Sequence, residues 1–321
     1  MKKTIVIFGA TGQQGGSVIQ SILHDPHLST TYHIRAITRT PSHPSAQALQ
    51  CNGIEIIPAD ANNPASLLRA LANSYMVFAM TLPEFSAPNA KQTEIAQGKA
   101  IADAAVACGT EYIIFSTLPH VSRISHGKYT RVEYFDAKAE VEEYIRGLPI
   151  KSVFYLPGWF LQNFKGNMRV KRMGEEGGGL VLGSVVGPGT RLPVIDPSRD
   201  TGRFLGGALR EPEKWVGRVV KAAVEIWSYE EVARVMGEVL GEGKEEEEVE
   251  YRVVEREGFT EGLSPVFADR LIEMLRFIEE FGYFGLGEEE EAEVVRMEVE
   301  GVEEREKLTG LREFLGREGV E

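Results

Sequence analysis

Residues 4–16, TIVIFGATGQQGG, decide the fold of this chain. The first five are apolar or β-branched, which predicts a short buried strand over residues 4–8 of the kind found in parallel sheets. Gly9, Gly12 and Gly15 follow at the G-x-x-G-x-x-G spacing. Residues 17–23 then carry apolar side chains at helical spacing. A strand, a glycine turn and a helix in this order are typical of the first βα unit of a dinucleotide-binding domain.

Each of the three glycines has a predicted task. Gly9 allows a tight turn off the strand, Gly12 lets the backbone approach a pyrophosphate, and Gly15 lets the helix pack closely on the sheet. The phosphates would bind free amides at the helix N-terminus, where the helix dipole favours negative charge. The predicted cofactor loop consists of Gly9, Ala10, Thr11, Gly12, Gln13, Gln14 and Gly15. Spaced glycines also occur in ordinary tight turns, and that alternative stays open at this point.

The rest of the chain alternates strand and helix patterns. Further strands are predicted over residues 32–38, 54–59, 75–80, 111–116 and 151–156, with helical patterns between them. This alternation predicts an α/β fold, a doubly wound parallel Rossmann sheet with a smaller mixed α/β C-terminal region. We expect a dinucleotide-binding domain over residues 1–157. Residues 158–321 form a substrate or partner region that is packed on it and shares a cleft with it.

Composition limits the classes of function. The chain has 321 residues, 43% of them hydrophobic, and a net charge of −13, which argues against direct binding to nucleic acid because phosphates require a basic face. Cys51 and Cys108 stand in no metal or redox spacing, which predicts no metal site and suits a reducing compartment. The apolar run at the N-terminus is too short for a signal peptide or a membrane span. We therefore expect a cytoplasmic protein, with the nucleus left open.

The end of the second strand predicts which cofactor is bound. Proteins that select NAD place Asp or Glu there for the ribose 2′-hydroxyl, whereas this chain places Thr38 and Arg39. An arginine fits a 2′-phosphate and stacks on adenine, so NADP is predicted, although a solvated surface arginine is the alternative. Further cofactor contacts are expected at the strand ends, in the loop 82–89 and in the aromatic segment after the sixth strand: Asp60, Ala61, Met80, Thr81, Trp159 and Phe160.

A second constellation lies on the helix that follows residue 130. Tyr134 and Lys138 are four residues apart, so both would point from one helix face into one site. A lysine cation there lowers the tyrosine pKa and binds the nicotinamide ribose, and the tyrosine exchanges a proton with the substrate oxygen. Ser116 or Thr117, at the end of the fifth strand, would orient that oxygen. The alternative is that Lys138 only binds cofactor and Tyr134 is a packed aromatic residue.

The C-terminal third offers structural signals only. Glycines 177–179 predict a loop, Ser228 and Glu231 predict a capping box, and residues 267–281 predict an amphipathic helix. Four successive glutamates, residues 245–248, predict a solvated turn because like charges at that density repel one another.

Four stretches together resemble the NmrA-like family, an atypical group of short-chain dehydrogenases: GATGQQGG, ITRTP, YFDAKAEVEEYIR and FYLPGWFLQNF. The resemblance implies NADP(H) binding through Gly9, Thr11, Gly12, Gln14, Arg39 and Lys138. Many family members lack the catalytic tyrosine, whereas this chain keeps Tyr134. Some members act as redox sensors that regulate partner proteins rather than as reductases.

Two functions follow as hypotheses. The first is an NADPH-dependent reductase of a small carbonyl or enone substrate, with Tyr134 as proton donor, Lys138 as its electrostatic partner and Ser116 orienting the oxygen. The second is a non-catalytic NADP sensor that regulates a transcription factor or another protein. Its partner surfaces would be the basic loop 123–131 and the acidic C-terminal part. A nucleotide-binding protein of another use, and the choice between monomer and dimer, stay open; no membrane partner is expected.

Overall fold

The computed structural model describes residues 1–84, 89–166, 168, 170–172, 179–241 and 248–319. Three predicted loops fall partly outside the described residues: 85–88 of the loop 82–89, glycines 177 and 178, and glutamates 245–247.

The strands are short and are spread over the whole chain. They are β1 (Lys3–Ile7), β2 (Tyr32–Thr38), β3 (Glu55–Pro58), β4 (Met76–Ala79), β5 (Tyr112–Ser116), β6 (Lys151–Pro157), β7 (Trp159–Phe160), β8 (Lys171–Arg172), β9 (Leu180–Ser184), β10 (Arg191–Ile195), β11 (Val219–Ala222), β12 (Glu225–Ser228) and β13 (Val249–Val253).

Helices separate most of the strands. They are α1 (Gln13–His24), α2 (Pro26–Thr31), α3 (Pro44–Cys51), α4 (Pro64–Leu71), α5 (Ala90–Ala107), α6 (Val121–Ile124), α7 (Glu133–Arg146), α8 (Pro197–Phe204), α9 (Gly206–Arg210), α10 (Tyr229–Leu240), α11 (Arg256–Phe259), α12 (Pro265–Phe281), α13 (Glu288–Glu300) and α14 (Leu311–Glu318). Short 3-10 turns occupy Leu161–Lys165, Pro212–Trp215 and Arg305–Lys307.

Seven strands form a parallel central sheet in the order β3-β2-β1-β4-β5-β6-β11. The chain starts at β1, winds outward to β3, and then returns through β4, so the direction of winding reverses between β1 and β4. This confirms the predicted doubly wound Rossmann sheet. Ligands of such sheets bind outside the carboxyl ends of the strands at this reversal point.

The part of the chain after residue 157 returns to the central sheet. Strand β11 pairs with β6, and α8 packs on α1, where the amide of Gly202 donates to Ser17 Oγ at 3.1 Å. Two smaller sheets, β12-β10-β7 and β13-β9-β8, complete the mixed C-terminal region. A cut at 157/158 would separate β11 from the sheet that it completes, and the domain boundary itself stays a prediction.

Three apolar clusters hold these layers together. Two lie on opposite faces of the central sheet, because successive side chains of a strand alternate: Ile5 and Ile7 belong to one cluster and Val6 to the other. The third joins α7, α10, α12 and α14 to the C-terminal strands and contains Phe135, Tyr229 and Phe277. None of the described helices combines the length and the apolar character that crossing a membrane requires.

Candidate functional site

A cleft of about 780 Å³ opens at the carboxyl ends of the central strands. Seven of the predicted cofactor residues line it: Gly9, Thr11, Arg39, Asp60, Ala61, Met80 and Thr81. Leu82, Pro83 and Glu84, from the predicted flanking loop, line it as well. The cleft therefore brings together the ends of β1, β2, β3 and β4, although the ends of β1 and β4 are 72 residues apart in the sequence.

The glycine turn is held by close packing. Gly9 has a φ of +64°, and a Cβ there would lie 2.5 Å from Met80 Sδ. The amide of Gly12 donates to the carbonyl of Gly9 at 2.9 Å, which closes the turn. A Cβ at Gly15 would lie 2.6 Å from the carbonyl carbon of Gly9 and 2.8 Å from Phe8 O. The predicted reasons for glycine at positions 9 and 15 therefore match the structure.

Helix α1 begins directly at this turn. Gly12 is its N-cap and supplies no side-chain cap, and the first helical hydrogen bond joins the amide of Gly16 to Gly12 O at 3.0 Å. The amides of Gln13, Gln14 and Gly15 belong to the first turn, which has no acceptor inside the helix. The side chain of Gln14 is buried, and its Oε1 has no hydrogen-bond partner among the described residues. Ala10 is buried beneath the turn. The free amides of this first helical turn can bind an anion such as a phosphate.

Arg39 stands at the end of β2 and is exposed. Among the described residues Arg39 forms no ion pair, in contrast to Arg35 of β2, whose Nε lies 2.9 Å from Glu55 Oε2. No acceptor from the described ranges occupies the Arg39 guanidinium, so its donors can bind a ligand in the cleft.

Lys138 belongs to a buried polar cluster that reaches the cleft. Its Nζ donates to Thr81 O and to Thr81 Oγ1, each at 2.9 Å, and to Glu94 Oε1. Thr81 Oγ1 in turn donates to Glu94 Oε1 at 2.7 Å. Burial lowers the pKa of the Lys138 ammonium, and the Glu94 carboxylate opposes that shift. Because Thr81 lines the cleft, one side chain joins the cluster to the cleft.

Tyr134 lies one turn before Lys138 but makes a different contact. Its hydroxyl donates to Met274 Sδ of α12 at 2.8 Å, and its ring packs edge-on against Phe135. Burial raises the pKa of the Tyr134 phenol, and the charge that opposes this shift is Arg270. The expectation that Lys138 lowers the pKa of Tyr134 is therefore wrong, because α12 covers the start of α7 and supplies Tyr134 with a partner there. The catalytic role of Tyr134 stays a prediction.

Ser116, Thr117, Trp159 and Phe160 do not line the cleft in the part of the chain that is described. Ser116 is buried at the end of β5, and Thr117 Oγ1 is 3.5 Å from the carbonyl of Lys138. Trp159 is buried in β7, and its Nε1 has no partner among the described residues. Phe160 is half-buried against the apolar cluster that contains Ile5 and Ile7.

Comparison with known proteins identifies the family of this chain. The model of the NmrA-like family matches residues 1–315. The chain belongs to the NmrA-like family. It is 30% identical over 251 residues to the NmrA-like family domain-containing oxidoreductase lnaB of Aspergillus flavus, which covers 75% of this chain and 74% of the relative. It is 31% identical over 254 residues to the oxidoreductase hkm9 of Aspergillus hancockii, covering 75% and 73%.

Solved structures share the NmrA-like fold over nearly the whole chain. NmrA, a negative transcriptional regulator, in complex with NADP superposes with a TM-score of 0.74 at 23% identity and covers 99% of this chain and 95% of that one. The NADPH-dependent quinone oxidoreductase QOR2 of Escherichia coli, complexed with NADPH, gives a TM-score of 0.72 at 22% identity and covers 98% and 99%. At these identities the superpositions establish the fold alone.

Two kinds of site residue in this NmrA-like chain escape prediction from the sequence. Thr40, His43, Asn62 and Gln97 line the cleft from loops and helix faces that carry no motif. Glu94 is the other kind, because a single carboxylate within the alanine-rich α5 gives no sign that it is buried.

The basic loop 123–131, predicted as a partner surface, is tied to acidic side chains of the chain itself. Arg131 Nη1 lies 2.6 Å from Asp269 Oδ2, and the amides of Thr130 and Arg131 donate to Glu273 Oε2 at 2.9 and 2.8 Å. Lys128 pairs with Glu280 of the same helix, α12. This part of the NmrA-like chain thus fastens α12 over the start of α7.

Proposed function

We propose that this chain binds NADP(H) in the cleft and is an oxidoreductase that reduces a small carbonyl or enone substrate. One observation carries the proposal: Arg39, without an ion pair among the described residues, lines the same cleft as Gly9 and Thr11. A guanidinium at that strand end fits a 2′-phosphate, whereas selection of NAD calls for a carboxylate there.

The residues present fit the cofactor. The Gly9 turn and the first amides of α1 would hold the pyrophosphate, and Arg39 the 2′-phosphate. The acceptor Gln14 Oε1, buried without a partner among the described residues, would gain a donor from the ligand side. The similar NmrA structure is a complex with NADP, and the similar QOR2 structure is a complex with NADPH. Both support the same cofactor for this chain.

The chemistry requires a hydride and a proton. The bound cofactor would supply the hydride to the substrate carbon. The chain's own residues would orient both partners. Lys138, fixed by Glu94 and Thr81, would hold the nicotinamide ribose, and Ser116, at the end of β5, would orient the substrate oxygen. Residues 158–321 would supply the substrate-binding wall, with Trp159 and Phe160 next to the cofactor.

Calorimetric titration with NADP, NADPH and NAD tests the proposal. Wild-type protein should bind NADP and NADPH more tightly than NAD. Arg39→Ala should lose about tenfold or more of NADPH affinity with little effect on NAD, because a charge-assisted bond to phosphate is worth about 1.5–3 kcal/mol. Arg69→Ala, an exposed arginine of α4, is the matched control and should bind like wild type. Equal NADPH affinity in Arg39→Ala would contradict the assignment of the phosphate site.

A redox sensor that regulates another protein is the second candidate. The contact of Tyr134 with Met274, together with the Lys138–Glu94 pair, favours it, since neither side chain is set up as an acid. NADPH binding without turnover on a panel of aromatic aldehydes, 1,2-diketones and enones would move the assignment to this function. A pulldown in which partner capture differs between NADP and NADPH would support it directly.

A further inference from the structure

A histidine–carboxylate pair joins the loop after β5 to helix α7, outside the residues that line the cleft. His120 Nδ1 is 3.1 Å from Asp136 Oδ1, and the same carboxylate oxygen accepts the backbone amide of Ser122 at 3.1 Å. Asp136 is almost fully buried, with 2% of its surface exposed, and Lys91 Nζ lies 3.8 Å from its Oδ2. Asp136 is therefore a fixed acceptor that holds the imidazole of His120 by one nitrogen.

The pair lies at the edge of the sheet where the cleft opens. His120 follows β5 by four residues, and the neighbouring strand β4 is followed directly by Met80 and Thr81, which line the cleft. Asp136 precedes Lys138 by two residues on α7, and Lys138 is bonded to Thr81. Helix α7 thus makes two contacts at this edge: Lys138 is bonded to Thr81, and Asp136 is paired with His120.

The protonation pattern of the pair follows from its partners. A carboxylate has only acceptors, so the hydrogen on Nδ1 points to Asp136. Ser122 Oγ is 3.3 Å from the same nitrogen and offers a second acceptor there. Nε2 has no partner within the described residues, and 16% of the side chain is exposed. This is the arrangement in which a carboxylate orients a histidine for proton transfer at its other nitrogen.

The other candidate proton donors are less suited. The three N–H bonds of the Lys138 ammonium are matched by Thr81 O, Thr81 Oγ1 and Glu94 Oε1. The Tyr134 hydroxyl donates to Met274 Sδ, and its raised pKa disfavours release of its proton.

We propose that His120 donates the proton to the substrate oxygen in the reductase proposed above, with Asp136 as its positioning residue; this inference rests on that proposed function. The carbonyl carbon gains a hydride from the reduced nicotinamide, and the C=O π pair moves to the oxygen. That oxygen takes the Nε2 proton of the His120 imidazolium, which gives the alcohol, oxidised nicotinamide and a neutral imidazole. The Nδ1 hydrogen stays on Nδ1 and is donated to Asp136 Oδ1 throughout, and water restores the Nε2 proton.

The first arm of the test needs no cofactor. Long-range ¹H–¹⁵N NMR of the apoprotein, in the pH range where the ring is neutral, should show the Nδ1–H tautomer for His120. The Asp136→Asn variant should shift the population towards Nε2–H, because an amide oxygen is a weaker acceptor than a carboxylate. A neutral Nε2–H tautomer in wild type would overturn the proposal. His126, exposed in the same loop, is the internal reference.

The second arm uses the protein with NADPH and the carbonyl panel named above. His120→Gln should bind NADPH like wild type and lose about 10²- to 10⁴-fold in kcat with a small change in KM, the usual contribution of a general acid. His126→Asn is the matched control, since Asn tolerates the positive φ of +52° at that position. Imidazole added to the buffer should partly restore kcat of His120→Gly.

The outcomes separate the two proposals. Failure of wild type to bind NADPH would overturn the proposed function. Binding without turnover by wild type would overturn the reductase and with it the role of His120. Turnover by wild type that His120→Gln leaves unchanged would overturn the role of His120 alone.

Discussion

Lys138 and Glu94 form an ion pair between α7 and α5 in which both side chains are almost fully buried, with 11% and 2% of their surface exposed. Thr81 joins the pair from the tip of β4, so three elements meet at one polar contact. Glu94 Oε2 has no partner among the described residues. Removing two charges from water is costly, and their mutual contact is what offsets the cost.

Breaking this pair should destabilise the fold. We expect Glu94→Gln and Lys138→Met each to lower the free energy of unfolding by about 3–5 kcal/mol, because each leaves one buried charge without a counter-charge. The double variant should lose clearly less than the sum of the two. Urea denaturation followed by circular dichroism measures all three.

A second ion pair between α5 and α7 supplies the control for these variants. Glu140 of α7 pairs with Lys91 of α5 at 2.7 Å, but 36% of the Glu140 side chain is exposed. Glu140→Gln should therefore change stability by less than about 1 kcal/mol. Losses of similar size in Glu94→Gln and Glu140→Gln would mean that burial of the Lys138 pair has little energetic effect.

Gly15 and Gly16 provide a matched test of the glycine turn. A Cβ at Gly15 would collide with the backbone of Gly9, whereas a Cβ at Gly16 would lie 3.7 Å from Ala10 O, an ordinary contact. We expect Gly15→Ala to displace α1, to destabilise the fold and to abolish NADPH binding. Gly16→Ala should keep binding and gain up to about 1 kcal/mol in stability from helix propensity. Calorimetry and thermal unfolding measure both; equal behaviour of the two variants would refute the packing role of Gly15.

Local patterns were sufficient to predict most of the central sheet. The strand over 32–38 is observed at those bounds as β2. The strand predicted over 4–8 is observed one residue earlier, as Lys3–Ile7, and Phe8 keeps a single bond to the sheet, from its amide to Phe78 O at 2.9 Å. The capping box of Ser228 and Glu231 is confirmed at α10. These features depend on residues close together in sequence, so hydrophobic periodicity and capping rules are enough to find them.

Features set by distant packing could not be predicted. Tyr134 and Lys138 have the right spacing to share a helix face, but Met274, 140 residues further along, determines where the Tyr134 hydroxyl points. Strand β11 completes the central sheet from residue 219, and its four residues give too short a pattern to detect. Glu94 becomes a site residue only because α7 packs on α5.

Tyr134→Phe tests the structural alternative for the tyrosine. Because the hydroxyl contacts Met274 Sδ, its removal should change stability by about 1 kcal/mol or less and leave NADPH affinity unchanged. If His120 is the proton donor, turnover by Tyr134→Phe should stay within a few-fold of wild type. A loss of 100-fold or more, measured beside His120→Gln, would instead assign the proton transfer to Tyr134.

Glu291 should give the protein a stability that falls as the pH rises towards neutrality. Its carboxylate accepts the amide of Phe284 at 2.5 Å in the turn between α12 and α13, and burial, the largest cause, raises its pKa to about 7. In the unfolded chain a glutamate titrates near 4.3. Between these values the folded state binds more protons than the unfolded state, so the free energy of unfolding decreases with pH, by at most about 4 kcal/mol in total.

Glu291→Gln isolates this contribution. The amide oxygen of glutamine still accepts the Phe284 N–H, but the side chain no longer titrates. The decrease in unfolding free energy between about pH 4.5 and 7 should therefore be smaller than in wild type, and at pH 7.5 the variant should be the more stable protein. Glu293→Gln, exposed on the same helix, removes the same charge without the burial and should follow the wild-type pH profile. Urea titrations at half-unit pH steps measure all three; parallel profiles for wild type and Glu291→Gln would show that the Glu291 carboxyl titrates alike in the folded and unfolded states.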